Sequence, residues 1–526
     1  MSRFEGDVAG KNIITYDSIG GKEYSPNDIG QYLSEFKLND ALRLIGELSY
    51  EIFKSNKGLH TIKNIPVFDG VLAYLSMRLI ESSNDDSHSK DMTVDDLLKA
   101  IDMYFGLPDP FQEDSDNLQG FLIRFGSSQL DYDREARHLL PRTLIIYENL
   151  WTKSGNCNQV DIANAIKSFS GLNLQEILVL SWAFSVTAKK GFFRLFEDVD
   201  QYPDTLKYYF DINKQNAFAN WISWKYSDFR SRSRSDMPSD MDYEKFRFNP
   251  LLLKPAIIPD CNPQPGCSQV YITPIPALIY RRVTTGLYFT LSEYFKENNK
   301  KPFRKTFGEV FQEYVGLLLQ KAVGELNVQK EWRYFVKKNP KDTPDWFVIQ
   351  NGTAVLIEVK QSGLYLNAKK WGRLGDIKDD LKRNIGAGVH QMWKFEDDIR
   401  KGLCTVPDWL KGIEITERLV VTYDRPYFVN SVLRDEIRQL YPTIPESFHW
   451  HSISVEELEY FLGIASINLM DALKEKRLDT EGDRMDFKDY YSRKYSQDNC
   501  RNPYLYSVYD RFFGGLGLLS EETKEE

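Results

Sequence analysis

The stretch "TPDWFVIQNGTAVLIEVKQS", residues 343–362, decides how this chain is read. Asn351-Gly352 lies between two apolar runs, and a two-residue hairpin turn of type I′ needs positive φ at both central positions, which Asn-Gly supplies readily. A turn there fixes a register: Gln350 opposite Thr353, Ile349 opposite Ala354, and so outward until Asp345 faces Glu358. Opposed side chains in an antiparallel pair hold their Cβ atoms about 4.5 to 5.5 Å apart, where two like charges destabilise the sheet unless something neutralises them. Strand alternation places Lys360 on the face of Glu358 and turns Val359 the other way. Pro344 suits a strand's first residues and restricts Thr343 to extended backbone. Two hard carboxylate ligands with room for water and a phosphate oxygen suit Mg²⁺ or Mn²⁺. A lysine beside them can orient or deprotonate an attacking water, or stabilise charge in a phosphoryl transition state.

Pro344-Asp345, twelve intervening residues, then Glu358-Val359-Lys360 resembles the signature of the PD-(D/E)xK nuclease superfamily. The resemblance covers residues 300–430 or so. It implies a restriction-endonuclease-like α/β nuclease core, a mixed sheet flanked by helices. It also implies that Asp345 and Glu358 bind the metal, that the Val359 carbonyl adds a ligand, and that Lys360 works on the nucleophile. Pro-Asp recurs at Pro108-Asp109, Pro203-Asp204, Pro259-Asp260 and Pro407-Asp408, but none of these is followed by a turn and an apolar strand ending in Glu-x-Lys. The bland alternative is a half-exposed hairpin with solvated Glu358 and Lys360.

Upstream, Phe307, Phe311, Tyr314, Val315, Leu318 and Leu319 fall on one side of a helix over 306–323. The family's helix here supplies a further acid just after a phenylalanine, where this chain has Gln312. Glu313, flanking the stripe, is the first candidate for that acid and Glu309 the second, while Gln312 retains the capacity to hold a water. Downstream, residues 376–402 read as a helix leading to a strand near 417–424, so the order helix, hairpin, helix, strand matches the family core. On that helix Gln391 sits where the family carries a glutamine that supports the site; the adjacent His390 reads as a helix residue satisfied by a neighbour.

The whole chain has 526 residues, 42% of them hydrophobic and 14% aromatic, enough for two or three domains and not the composition of extended disorder. Residues 1–235 read as mainly α-helical, with capping patterns at Thr93 and at Asn173-Glu176. Residues 236–300 are a Pro-rich boundary and connecting helix, 301–440 the nuclease-like domain, and 441–526 a helical appendage, capped by Ser454 and Glu457 and ending in an acidic tail. The net charge of −9 gives no global attraction to nucleic acid. Residues 300–401, however, carry about 20 Lys and Arg against about 13 Asp and Glu, interleaved with Trp332, Tyr334 and Trp371, a composition suited to phosphate contact and base stacking. The arginine-serine run at 230–235 reads as a solvated loop.

Five cysteines form no framework; Cys261 and Cys267, in a Pro-rich loop with no histidine nearby, do not make a zinc pattern. The N-terminus lacks a signal-peptide layout, and the longest apolar run, 177–188, is too short to span a bilayer, so a cytoplasmic protein with no membrane partner is expected. P-loop, G-x-S-x-G and H-E-x-x-H patterns are absent. The leading expectation is a Mg²⁺-dependent nuclease cutting DNA, with RNA left open, in restriction, anti-phage defence or DNA processing. Its helical flanks would bind a second copy or a protein partner. The alternative, drawn from Gln312, is an inactive nuclease-like module that binds nucleic acid or regulates.

Overall fold

In the computed structural model the described residues are 2–8, 11–16, 21–55, 60–85, 89–108, 118–129, 136–153, 160–235, 241–260, 269–298, 303–464, 468–495 and 501–517. The hairpin forms as the Asn-Gly pair demands, with φ of 51° at Asn351 and 78° at Gly352. Its register runs from Gln350 opposite Thr353 to Trp346 opposite Ile357. It builds the centre of a sheet whose strands are β1 (Val328–Lys330), β2 (Trp346–Gln350), β3 (Thr353–Lys360), β4 (Glu414–Thr422) and β5 (His451–Ser454). Their spatial order is β5-β4-β3-β2-β1. The β1–β2 and β2–β3 pairs are antiparallel, and β3–β4 and β4–β5 are parallel.

Helix α1 (Phe303–Val323) covers one face of this mixed sheet, and α2 (Ile385–Arg400) covers the other. Alternation along the strands explains the division. Val355, Ile357, Leu419 and Val421 pack with Phe307 and Phe311 of α1, whereas Ala354, Leu356 and Val420 pack with Val389 and Met392 of α2. All six residues of the stripe read on α1 are buried. The helix expected over 376–402 is two, Leu374–Arg383 and α2, because the backbone turns at Asn384, with φ −112° and ψ −95°.

One glycine sets how closely α1 approaches the hairpin. A Cβ on Gly316 would lie 2.1 Å from Cζ2 of Trp346, whose indole N–H donates to the Gln312 carbonyl at 2.9 Å. Gly316→Ala is therefore expected to destabilise the fold by about 1–3 kcal/mol through overpacking, measured as a lower denaturation midpoint; an unchanged midpoint counts against this close contact.

The cores do not stop at the boundaries read from sequence. The largest runs from Leu139 to Phe513 and joins helices Ala136–Leu144 and Leu174–Thr187 to α1, to α3 (Val455–Gly463) and to helix Pro503–Gly514. β5, from the stretch expected to be a helical appendage, completes the sheet, and the helix expected to continue from Ser454 ends at Gly463 before a second, Leu469–Leu478. A second core joins Ile29 to Leu278. The Pro-rich segment contributes Ala256–Ile258 and Val270–Ile272 to a four-stranded sheet with Phe192–Arg194 and Ser223–Lys225.

The arginine-serine run is helical, within Tyr226–Ser235, rather than a loop: Arg230 donates to the carbonyls of Ile80 and Ser83 at 2.5 and 2.7 Å, and Ser233 bonds Glu81. The capping boxes at Thr93, Asn173 and Ser454 form. Cys261, Cys267 and the acidic tail lie outside the described residues. No helix among the described residues is long and apolar enough to cross a membrane.

A buried ionic group ties three distant parts of the chain. Arg142 donates two bonds to Glu459 of α3, at 2.7 and 2.6 Å, and Tyr314 of α1 donates to the same carboxylate at 2.6 Å. One turn before Arg142, His138 is 1% exposed, and its Nε2 accepts the N–H of Asn502, the N-cap of Pro503–Gly514. Burial, then the Arg142 charge, push its pKa down to about 3. The folded form thus holds His138 neutral while the unfolded chain protonates it near 6.5. Its contribution is complete above pH 6.5 and is lost as pH falls toward 3, at about 1.4 kcal/mol per unit. His138→Gln is expected to make stability fall less steeply between pH 6.5 and 4, measured by denaturant midpoints; parallel curves for the two proteins would contradict this.

Candidate active site

The register that brings β2 and β3 together delivers Asp345 and Glu358 to the same rim of the sheet. Thr343 is fully buried; its hydroxyl accepts the Trp332 N–H at 3.0 Å, and its carbonyl accepts from Gln391 Nε2 of α2 at 3.0 Å. Gln391 thus braces the backbone that carries Asp345 and does not itself touch the acids through this bond. Asp345 Oδ2 accepts the Val359 N–H at 2.6 Å. Val359 meets the acid through its amide, while its side chain packs into the core on the α1 face.

Glu358 is 2% exposed. Its Oε1 accepts from Lys360 Nζ at 2.6 Å, and its Oε2 is buried with no hydrogen-bond partner. Gly388 of α2 lies directly over this pair: a Cβ there would meet Glu358 Cγ at 3.0 Å and Lys360 Cε at 3.2 Å. A side chain there would press on both and require them to shift by a few tenths of an ångström. Near Lys360 lies Tyr441, whose hydroxyl donates to the Lys382 carbonyl at 2.7 Å and whose ring stacks on His390 at 4.9 Å. The His390 ring also lies against Trp393, so it contacts aromatic neighbours on and off its own helix.

A third acid enters from an element that sequence reading missed. Because Lys330 pairs with Trp346, the next residue, Glu331, comes beside Asp345, and its N–H donates to the Asp345 carbonyl at 2.9 Å. Gln312 of α1 donates to Glu331 Oε1 at 2.8 Å. The glutamine that departs from the family pattern therefore holds a carboxylate supplied by the end of β1. Glu313, the first candidate, is instead engaged by Lys330 at the half-exposed surface of α1, and Glu309 is half-buried one turn earlier. The missed signal was a three-residue strand, Val328–Lys330, too short for an alternation pattern.

The electrostatics follow from this crowding. Burial, then the Glu358 charge, push the Asp345 pKa well up, and Glu331 adds to the push against the Val359 amide and Lys360. Burial likewise raises Glu358, opposed by Lys360. Desolvation works against the Lys360 charge, but Glu358 outweighs it and keeps the ammonium protonated. Three carboxylates against one ammonium leave an excess of negative charge, and a buried oxygen without a partner is costly. A divalent cation fits both deficits. The ligand atoms of Asp345, Glu358 and Glu331 do not all close to within 4.8 Å of one another.

The surrounding surface differs from the sequence expectation. Trp332 packs on Phe347, Phe395 and Trp409, and Tyr334 is buried with its hydroxyl on Asp398, so neither ring is offered for stacking. Phe335, 63% accessible on the hairpin Arg333–Val336 and Asn339–Asp342 that leads into Thr343, and Tyr365 are exposed, while Trp371 is half-buried with Lys370 and Arg373 over its ring. Many cations of 300–401 are held in ion pairs, as Lys341 with Asp398 and Lys369 with Asp424. Lys337, Lys338, Arg373 and Lys382 are exposed and make no ion pair among the described residues. Comparison of the chain with protein-family models, with curated proteins and with solved structures finds no match.

Proposed function

We propose that this chain is a divalent-cation-dependent nuclease with DNA as its expected substrate. The observation that carries the reading is Glu358, brought by the register opposite Asp345, with Oε1 on the Lys360 ammonium and Oε2 buried without a hydrogen-bond partner. Mg²⁺ or Mn²⁺ would be held by Asp345 and Glu358, with Glu331 completing the acidic set, and would supply Lewis-acid neutralisation of the scissile phosphate. Lys360, kept protonated by Glu358, donates to a phosphoryl oxygen or orients the attacking water; in that state it is not the proton acceptor. Gln391 and Thr343 fix the backbone under Asp345, and Gln312 fixes Glu331. Phe335, Lys337 and Lys338, exposed on the hairpin that leads into Thr343, would contact the incoming strand.

A second reading, binding without cleavage, draws on Gln312 standing where the resemblance calls for an acid. One assay separates the two. The full chain is incubated with supercoiled plasmid, linear duplex, single-stranded DNA and RNA, in Mg²⁺, Mn²⁺ or EDTA. Cleavage in either metal and none in EDTA is expected, with the end type and the preferred polymer reporting substrate class. Tight binding with no cleavage in either metal supports the second reading, and cleavage that persists in EDTA rejects the proposed site. Cleavage of both strands at one place would call for two copies, and restriction, defence and DNA processing all fit such an activity.

A further inference from the structure

The opposite face of the same sheet carries a second cluster that the proposed chemistry does not use. On β4, Arg418 and Val420 face α2, where Arg418 bonds Glu396, so Glu417 and Leu419 face the other way. Leu419 pairs with His451, and the His-x-His spacing puts His449 and His451 on one side of the chain entering β5. Candidate ligand atoms of Glu417, His449 and His451 lie within 4.8 Å of one another. Asp483, from the 3₁₀ turn Gly482–Arg484, points Oδ1 between the two rings, 2.6 Å from His449 Nε2 and 3.0 Å from His451 Nε2.

Each carboxylate has its outer oxygen tied to an arginine. Asp483 Oδ2 accepts from Arg434 at 2.6 Å, and Glu417 Oε1 accepts from Arg477 at 2.9 Å. Glu417 Oε2 is buried and has no partner, in a residue 1% exposed, and His449 Nδ1 is also buried without one. A purely hydrogen-bonded latch would account for the Asp483–histidine contacts but not for that glutamate oxygen. Lys476 donates to the carbonyls of Gly482, Asp483 and Met485 and so fixes the turn that presents Asp483.

We infer that Glu417, His449 and His451, whose ligand atoms converge, form a site for one zinc-class transition-metal ion, and that Asp483, already against both rings, would supply the fourth ligand and so fasten the C-terminal region to the sheet. Two imidazole nitrogens and the Glu417 carboxylate, with the Asp483 carboxylate beside the rings, suit zinc and suit Mg²⁺ poorly, since Mg²⁺ prefers oxygen and water. Tetrahedral ligands at about 2.0–2.2 Å from an ion stand roughly 3.3 Å apart, so an opening of about half an ångström admits it. Arg434 and Arg477, bonded to the outer oxygens of Asp483 and Glu417, hold those carboxylates in the orientation that ligation needs. The inference is independent of whether the chain cleaves nucleic acid.

The full chain, stripped with a strong chelator, is titrated with Zn²⁺ against a chromophoric competitor and, separately, with Co²⁺. One tight equivalent of zinc per chain and the visible bands of tetrahedral cobalt are expected. Affinity should fall by about a hundredfold or more in His449→Gln and in Glu417→Gln, and stay unchanged in Asp345→Asn. Zinc should raise the melting temperature of the wild-type chain but not of His449→Gln, a variant at a partly exposed position chosen so that folding is retained. No uptake by the wild-type chain, equal uptake by His449→Gln, or loss of uptake in Asp345→Asn each overturns the assignment.

Discussion

Lys360→Ala is expected to lower metal-dependent cleavage by about 10²–10³-fold while nucleic-acid binding remains. The ammonium is bonded to Glu358 Oε1 at 2.6 Å and sits in a pocket where burial makes each charge count for more than it would in water. Removing it leaves Asp345, Glu358 and Glu331 with a larger negative excess, which strengthens cation binding rather than weakening it. The loss should therefore appear in the single-turnover rate at saturating Mg²⁺, with the half-saturating metal concentration equal or lower. Asp345→Asn should show the opposite pattern, with a higher metal requirement, because it removes a ligand charge. If Lys360→Ala instead raised the metal requirement and kept the maximal rate, the lysine would be placing the metal and not stabilising the reacting phosphate.

Glu459→Ala is expected to cost about 3–5 kcal/mol of stability. The side chains of Arg142 and Glu459 are 4% and 0% exposed, so deleting the carboxylate removes the two bonds it gives a buried guanidinium and leaves the Tyr314 hydroxyl without its acceptor. The loss would be read as a lower denaturation midpoint and as uncoupling of the sheet from the Ala136–Leu144 helix. Replacing all three groups with apolar residues of similar size should recover much of it, since a buried ion pair contributes little relative to good packing. A loss below about 1 kcal/mol for the single change would mean that water reaches Arg142 in the variant.

The hairpin and its acids were legible because Asn-Gly admits one register, and register alone brings Asp345, Glu358 and Lys360 to one rim. The stripe on α1 was legible for the same reason of period. Glu331 was not, because it follows a three-residue strand whose pairing exists only once β2 is in place. Gly388 escaped notice because its value lies in what it leaves out, which only the contact with Glu358 reveals. Trp332 and Tyr334 were misassigned to a binding surface because composition cannot tell an inward from an outward ring on a short twisted hairpin. The divisions at 235, 300 and 440 marked changes of texture, whereas packing followed the burial of α1 by segments from both ends of the chain.

Arg142 and Glu459 stand 317 residues apart in sequence. During ribosomal synthesis at about 5–20 residues per second, the arginine emerges roughly 15 to 60 s before its counter-charge exists. For that interval Arg142 lacks the carboxylate that bonds it in the finished protein, and β4 has an open edge because β5 has not been made. The five-stranded sheet cannot be complete before residues 451–454 have been made, nor the Arg142–Glu459 pair before residue 459.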